Sequence, residues 1–268
     1  MRTIYFNADD FGWTDGHNQA VEQAHRSGVL NRASLLCNGQ AFDQAVRLAR
    51  EMPGLKVGIH LTLNEGKPLS SSRALPMLLN GGNAFPDTLK ELALLWLRGR
   101  LSRAEIYQEW RAQIERGLSA GLKLSHLDSH KHVHLLPPLL DVAIQLAGDH
   151  QITYLRLPKE NPVGTTYQRG PLGLISWLLA VRAQREMQLS GLSFADLFIG
   201  VGSSGAMTED RLIQAVRGAP EGTTEIMTHP AVITPAVAEL QHRYAWAASY
   251  QFEEELGALC SPEVAALV

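Results

Sequence analysis

Only two cysteines, Cys37 and Cys260, occur in 268 residues. So few thiols exclude a disulfide framework, and their separation excludes a thiolate zinc site, so both are expected to be reduced. Long apolar runs are missing too. The most apolar stretch, residues 173–181, ends at Arg182 and is too short for a bilayer of about 30 Å; it reads as a helix that packs within the fold or against a partner. No apolar leader with a small-residue cleavage site precedes the strand-like opening Met1-Arg2-Thr3-Ile4-Tyr5-Phe6-Asn7, so a cytoplasmic protein without an integral membrane span is expected. Charge of one sign is also scarce. With 24 basic and 27 acidic residues the net charge is -3, which leaves no basic footprint for nucleic acid and fits an uncharged polar substrate. Hydrophobic residues at 45% against 19% charged exclude disorder and support one globular domain over residues 1–268, as a monomer or homodimer.

Short apolar runs alternate with longer segments of helical period, the pattern of βα units around a parallel sheet. Strands are expected at residues 3–8, 33–38, 56–63, 125–128, 153–157, 195–200 and 225–228. Helices are expected at 16–27, 41–51, 103–120, 138–147, 172–187, 209–217 and 250–259. Seven such strands fit a closed barrel, with an open doubly wound sheet as the alternative. Two insertions, 64–87 and 161–170, leave the carboxyl ends of strands, the edge where α/β enzymes assemble their sites.

Histidine is crowded where the fourth strand ends. His126, Asp128, His130, His132 and His134 fall within ten residues, more imidazole than core packing requires. In a strand the two-residue period sends His126, Asp128 and His130 to one face, where they could converge on a cation; an incidental histidine run on the surface is the alternative. Similar polar groups end other strands: Asp9 and Asp10 the first, His60 the third, Arg156 the fifth and His229 the seventh. Singly, each has a structural explanation, such as a helix cap for the aspartates. Parallel strands gather them at one rim, which points to a hydrolytic metal site. Adjacent carboxylates in an extended segment face opposite ways, so the aspartates are not read as the acid and base pair of a glycosidase. One is expected to bind metal beside His60 and His130, and the other to take a proton from water.

These segments resemble the YdjC-like carbohydrate deacetylases, which include chitooligosaccharide deacetylase. The resemblance rests on Asn7-Ala8-Asp9-Asp10-Phe11-Gly12, Asn38-Gly39-Gln40-Ala41, Gly58-Ile59-His60-Leu61 and Gly66-Lys67-Pro68-Leu69. It continues through 126–134, Arg156-Leu157-Pro158, Ser204-Gly205-Ala206-Met207-Thr208 and 225–230. It implies a distorted, seven-stranded (β/α) barrel related to the polysaccharide deacetylases. It also implies Asp10, His60 and His130 as ligands of one divalent metal ion, Asp9 as general base and His229 as general acid. Asp128, Arg156, His132, His134 and Asn38 are expected to support these groups or touch substrate, with a plain rim position as the alternative for His132 and His134, and Trp13 and Tyr167 to offer aromatic faces to a sugar ring or simply to pack. The family is described with magnesium, whereas two imidazoles and one carboxylate favour zinc or another transition ion.

The implied reaction removes the N-acetyl group from a 2-acetamido sugar, a chito-oligosaccharide or N-acetylglucosaminyl conjugate. A sub-branch of the family acts on an N-acetylglucosaminyl hopanoid lipid, and the apolar helix around Trp177 keeps that acceptor open. A metal phosphoesterase would need a phosphate cradle that none of these segments supplies. A binding protein without catalysis is at odds with the intact set of Asp9, Asp10, His60, His130 and His229.

Overall fold

The computed structural model describes residues 1–79, 82–160 and 170–268. Tyr167 and the insertion 161–170, apart from Gly170, lie outside the described residues. The chain runs β1 (Arg2–Phe11), α1 (Asp15–Ser27), β2 (Arg32–Leu35), α2 (Phe42–Glu51), β3 (Lys56–Leu61), α3 (Leu89–Leu97), α4 (Arg103–Ser119) and β4 (Leu127–Ser129). It continues with α5 (Pro137–Asp149), α6 (Gly170–Leu189), β5 (Leu197–Ile199), α7 (Glu209–Gly218), β6 (Gly222–Thr228), α8 (Pro235–Arg243), α9 (Ala245–Ala248), α10 (Phe252–Leu259) and α11 (Pro262–Ala265). The strands form one parallel sheet in the order β4-β3-β2-β1-β6-β5.

Because the sheet is covered by helices, its strands are buried almost without alternation; β1 is buried continuously from Phe6 to Phe11. Helix starts follow local chemistry. Thr14 accepts from the His17 backbone N–H to cap α1, Thr88 and Glu91 form a reciprocal capping box on α3, and a proline opens α5. The apolar stretch 173–181 lies in α6, where Leu174, Ile175 and Leu178 are exposed.

Seven strands were expected, and the sheet among the described residues has six. Residues 153–157 instead make isolated parallel bridges, Leu155 to Leu127 of the edge strand β4 and Tyr154 to Ser193, which precedes the other edge strand β5. Two features keep this segment from becoming a ladder. β4 is only three residues long, and Pro158 has no N–H to donate while the Lys159 N–H turns back onto the Leu157 carbonyl (2.8 Å). The result is a half-barrel whose gap is spanned by the segment carrying Arg156.

Candidate functional site

The carboxyl ends of the strands converge as the alternating motifs imply, but β1 does so through an irregularity. From Ala8 to Phe11 it advances three residues while its partner β2 advances two, Ala33 to Leu35. This is a β-bulge at Asp9 and Asp10, and Asp10 takes φ 66°, a left-handed conformation costly outside glycine. The bulge breaks the expected alternation. Both carboxylates therefore approach the same nitrogen, with His60 Nε2 lying 3.5 Å from Asp10 Oδ1 and 3.9 Å from Asp9 Oδ2.

His60 and Asp128 are register partners on β3 and β4, and His60 Nδ1 lies 2.7 Å from Asp128 Oδ1. An ionised carboxylate only accepts, so Nδ1 carries the hydrogen and Nε2 is turned toward the aspartates. Burial alone would lower the His60 pKa, but the charges of Asp128, Asp9 and Asp10 raise it. His130, just beyond β4, brings Nδ1 to 3.2 Å from Asp10 Oδ1. Its burial is likewise outweighed, by Asp10 and Glu65, which push the imidazole up to about 9.

Arg156 is completely buried and organises the other half. Its Nη1 and Nη2 donate to the two oxygens of Asp9 at 2.7 Å each, Nη2 also reaches Asp128 Oδ2 at 2.7 Å, and Nε donates to Glu225 at 2.6 Å. Asn7 Nδ2 adds a further bond to Asp9 (2.8 Å), and Ser34 Oγ donates to Asp128 (2.6 Å). Burial would raise the Asp128 carboxyl, but Arg156 and His60 hold it well below its ordinary value. His229 follows β6 with Nε2 at 4.0 Å from Asp9 Oδ2, its backbone N–H held by Glu255 and its ring 5.0 Å from that of Tyr250.

Among the described residues, two groups have ligand atoms within 4.8 Å of one another: Asp10, His60 and His130, and Asp9, His60 and Asp128. In the second the carboxylates are already engaged by the Arg156 guanidinium, which bonds both oxygens of Asp9 and one of Asp128. In the first, both oxygens of Asp10 are buried without a hydrogen-bond partner among the described residues. Buried carboxylate oxygens are rarely left so, and beside two imidazole nitrogens they fit a divalent cation.

The other expected residues divide. His126 bonds Ser125 and Ser34 and does not join the cation group. His134 bonds Ser129 (2.6 Å) and the Arg156 carbonyl (2.9 Å), with burial lowering its pKa to about 4. It braces the backbone that carries Arg156. His132, at φ 55°, is half-buried, its ring edge-on to that of Phe198 with centroids 5.9 Å apart. Asn38 donates to the Lys67 carbonyl (3.0 Å) and lines a cavity of about 400 Å³ with Trp13, Glu65, Lys67, Tyr244 and His130. Trp13 stands edge-on to His130 at 5.2 Å, and Trp246 and Tyr244 continue the aromatic wall.

Sequence reasoning missed Glu65, Glu225, Trp246 and Tyr250. Glu225 had a signal: it is the one charged residue in the strand-like stretch Gly222–Thr228. Glu65 had only the glycine after it, in a loop.

Known proteins resemble this chain over most of its length. The family model described as YdjC-like protein matches residues 3–268. A carbohydrate deacetylase of Oceanobacillus iheyensis is 31% identical, over 97% of this chain and 97% of its own. One from Geobacillus stearothermophilus is 34% identical over 99% and 92%, and one from Brevibacillus brevis 36% over 87% and 83%. Among solved structures, a candidate cellobiose-phosphate cleavage protein of Enterococcus faecalis superposes with a TM-score of 0.79 at 27% identity, covering 99% of this chain and 93% of that one. The chain belongs to the YdjC-like protein family.

Proposed function

We propose that this protein is a metal-dependent N-deacetylase that hydrolyses the acetamido group of a 2-acetamido sugar to a free amine and acetate. Family membership and the relatives named carbohydrate deacetylase support the hydrolytic, sugar-directed part of this reading. The observation that carries the metal is the buried, unpartnered carboxylate of Asp10 between His60 Nε2 and His130 Nδ1. Asp10, His60 and His130 would hold the ion, with a transition ion such as zinc fitting two imidazoles better than the magnesium associated with the family. When bound, such an ion acidifies water and stabilises negative charge on the acetyl oxygen.

The protein's own residues supply the rest. Asp9, gripped by Arg156 and Asn7, is aimed and takes the proton that water must lose as it attacks the acetyl carbon. The amine cannot leave as an anion, so nitrogen must gain a proton as the C–N bond breaks; His229, across from Asp9, donates it. Trp13 and Tyr244, with Trp246 packed against both, offer ring faces to the sugar, and Asn38 and Lys67 offer polar contacts in the cavity that Trp13 and Tyr244 line. Cys37 and Cys260 are both free, in keeping with a cytoplasmic enzyme.

The test is acetate release from N,N′-diacetylchitobiose by protein stripped with a chelator and then reloaded with zinc, cobalt, manganese or magnesium. The reading requires turnover to vanish on stripping and return with an ion; full activity in the stripped protein would refute it.

A further inference from the structure

Glu65 has connections that the reaction as described does not use. It opens the loop after β3 at φ 63°, a conformation that persists in a non-glycine residue only where surroundings impose it. Here the loop closes on itself: the Glu65 N–H donates to the Pro86 carbonyl (2.8 Å), and the Gly66 carbonyl accepts from Phe85 (3.0 Å). The side chain is thereby buried, with three donors from two separate parts of the chain. His130 Nε2 lies 2.9 Å from Oε2, Trp246 Nε1 donates to Oε1 at 2.9 Å, and Lys131 Nζ also donates to Oε1.

We propose that Glu65 is the positioning residue of the metal centre, fixing His130 so that Nδ1 faces Asp10 and joining that ring to the aromatic wall. The inference rests on Asp10, His60 and His130 holding an ion. An ionised carboxylate only accepts, so the nitrogen it touches must carry hydrogen, and the other nitrogen of the neutral ring keeps its lone pair. Nδ1, 3.2 Å from Asp10, is that other nitrogen. Asp128 imposes the opposite choice on His60, holding Nδ1 and freeing Nε2. The two rings thus present different nitrogens to the same carboxylate, each selected by its own acid. An acid present only to offset Lys131 would need one oxygen; the second is committed to His130.

Glutamine cannot reproduce this. One orientation sets its NH2 against His130 Nε2 and drives the ring hydrogen onto Nδ1; the other sets it against the Trp246 N–H and the Lys131 ammonium.

Zinc affinity, measured by competition with a chromophoric chelator, separates the possibilities, with circular dichroism and thermal melts confirming the fold. Glu65→Gln is expected to bind zinc roughly 10- to 100-fold more weakly, the usual effect of removing a ligand's orienting partner. The charge-balanced Glu65→Gln/Lys131→Met double variant should keep that loss. Glu65→Asp, which keeps the charge but withdraws the carboxylate by one methylene, should lose affinity by about fivefold or more. Affinity within twofold of wild type in Glu65→Gln or Glu65→Asp overturns the proposal, and so does recovery in the double variant, which would make the loss one of charge alone. If the wild-type protein takes up none of zinc, cobalt, manganese or magnesium, the metal reading itself fails and this inference with it.

Discussion

Arg156→Lys should be the most damaging charge-conserving change in the molecule. The guanidinium makes four short contacts, two to Asp9, one to Asp128 and one to Glu225, none longer than 2.7 Å. A lysine ammonium keeps the charge but offers its donors from a single point and cannot span three carboxylates. At least two of the contacts should therefore be lost. Each charge-assisted bond is worth about 1.5–3 kcal/mol, and the site is fully buried, so solvent does not screen the loss. Allowing for a carboxylate that can instead take up a proton, the net destabilisation should be about 3–5 kcal/mol, the range for broken buried ion pairs. That is a large part of a typical total of about 5–15 kcal/mol.

Urea denaturation from pH 7 down to about pH 2, through and below the ordinary carboxylate value, is the assay. In the wild type the depressed pKa of Asp128 contributes stability that is present above its unfolded value of 3.8 and lost as pH falls through the lower folded value. The variant has less of that contribution to lose, so the gap between the proteins should be widest at neutral pH and narrow on acidification. Equal midpoints at pH 7, or a gap that widens with acid, would refute this account of Arg156.

Three other outcomes follow from the same geometry. His130 sits at about 9 without an ion, so its protonated ring dominates at pH 7, ion uptake must expel that proton, and affinity should climb by roughly a decade per pH unit below 9 for this ring alone; titration calorimetry in buffers of different ionisation heat should detect the released proton, and none would contradict the ligand set. In Gly39→Ala the new Cβ would stand 2.1 Å from the Gly12 carbonyl oxygen, costing about 1–3 kcal/mol and displacing the turn beyond Asp10, so both the urea midpoint and zinc affinity should fall; unchanged values would show that turn to be pliant. Trp246→Ala removes the ring packed against Trp13 and Tyr244 together with the N–H held by Glu65, and should raise KM for diacetylchitobiose roughly three- to tenfold, the equivalent of a lost aromatic contact of about 0.5–1.5 kcal/mol; an unchanged KM would remove Trp246 from the sugar-binding wall.

Most of the parallel sheet could be read from sequence because most strands are short stretches of apolar or β-branched residues with a polar group at or near the carboxyl end. Residues 3–8, 56–63 and 225–228 lie within or close to β1, β3 and β6. The segment 153–157 has the same composition yet forms only bridges, because strand pairing depends on the length of its neighbours, which composition does not encode. Asp10 was legible as a candidate but its direction was not: a bulge is a mismatch between two strands, and only their pairing reveals it. Glu65 and Trp246 meet His130 across 65 and 116 residues of chain respectively, a proximity that no spacing rule reaches.

The central position of β1 has a consequence for how this molecule comes into being. Its two neighbours are β2, which follows closely, and β6, whose register pairs Arg2 with Gly222. During synthesis one edge of the first strand stays unsatisfied until more than two hundred further residues have emerged, and pairings of such long range are slow to form. Asp9 lies on that strand, and Arg156 and His229 arrive from the late-made part of the chain. A nascent chain interrupted before β6 would thus carry an apolar, half-paired strand and no working centre, making completion of the sheet and acquisition of chemistry a single late event.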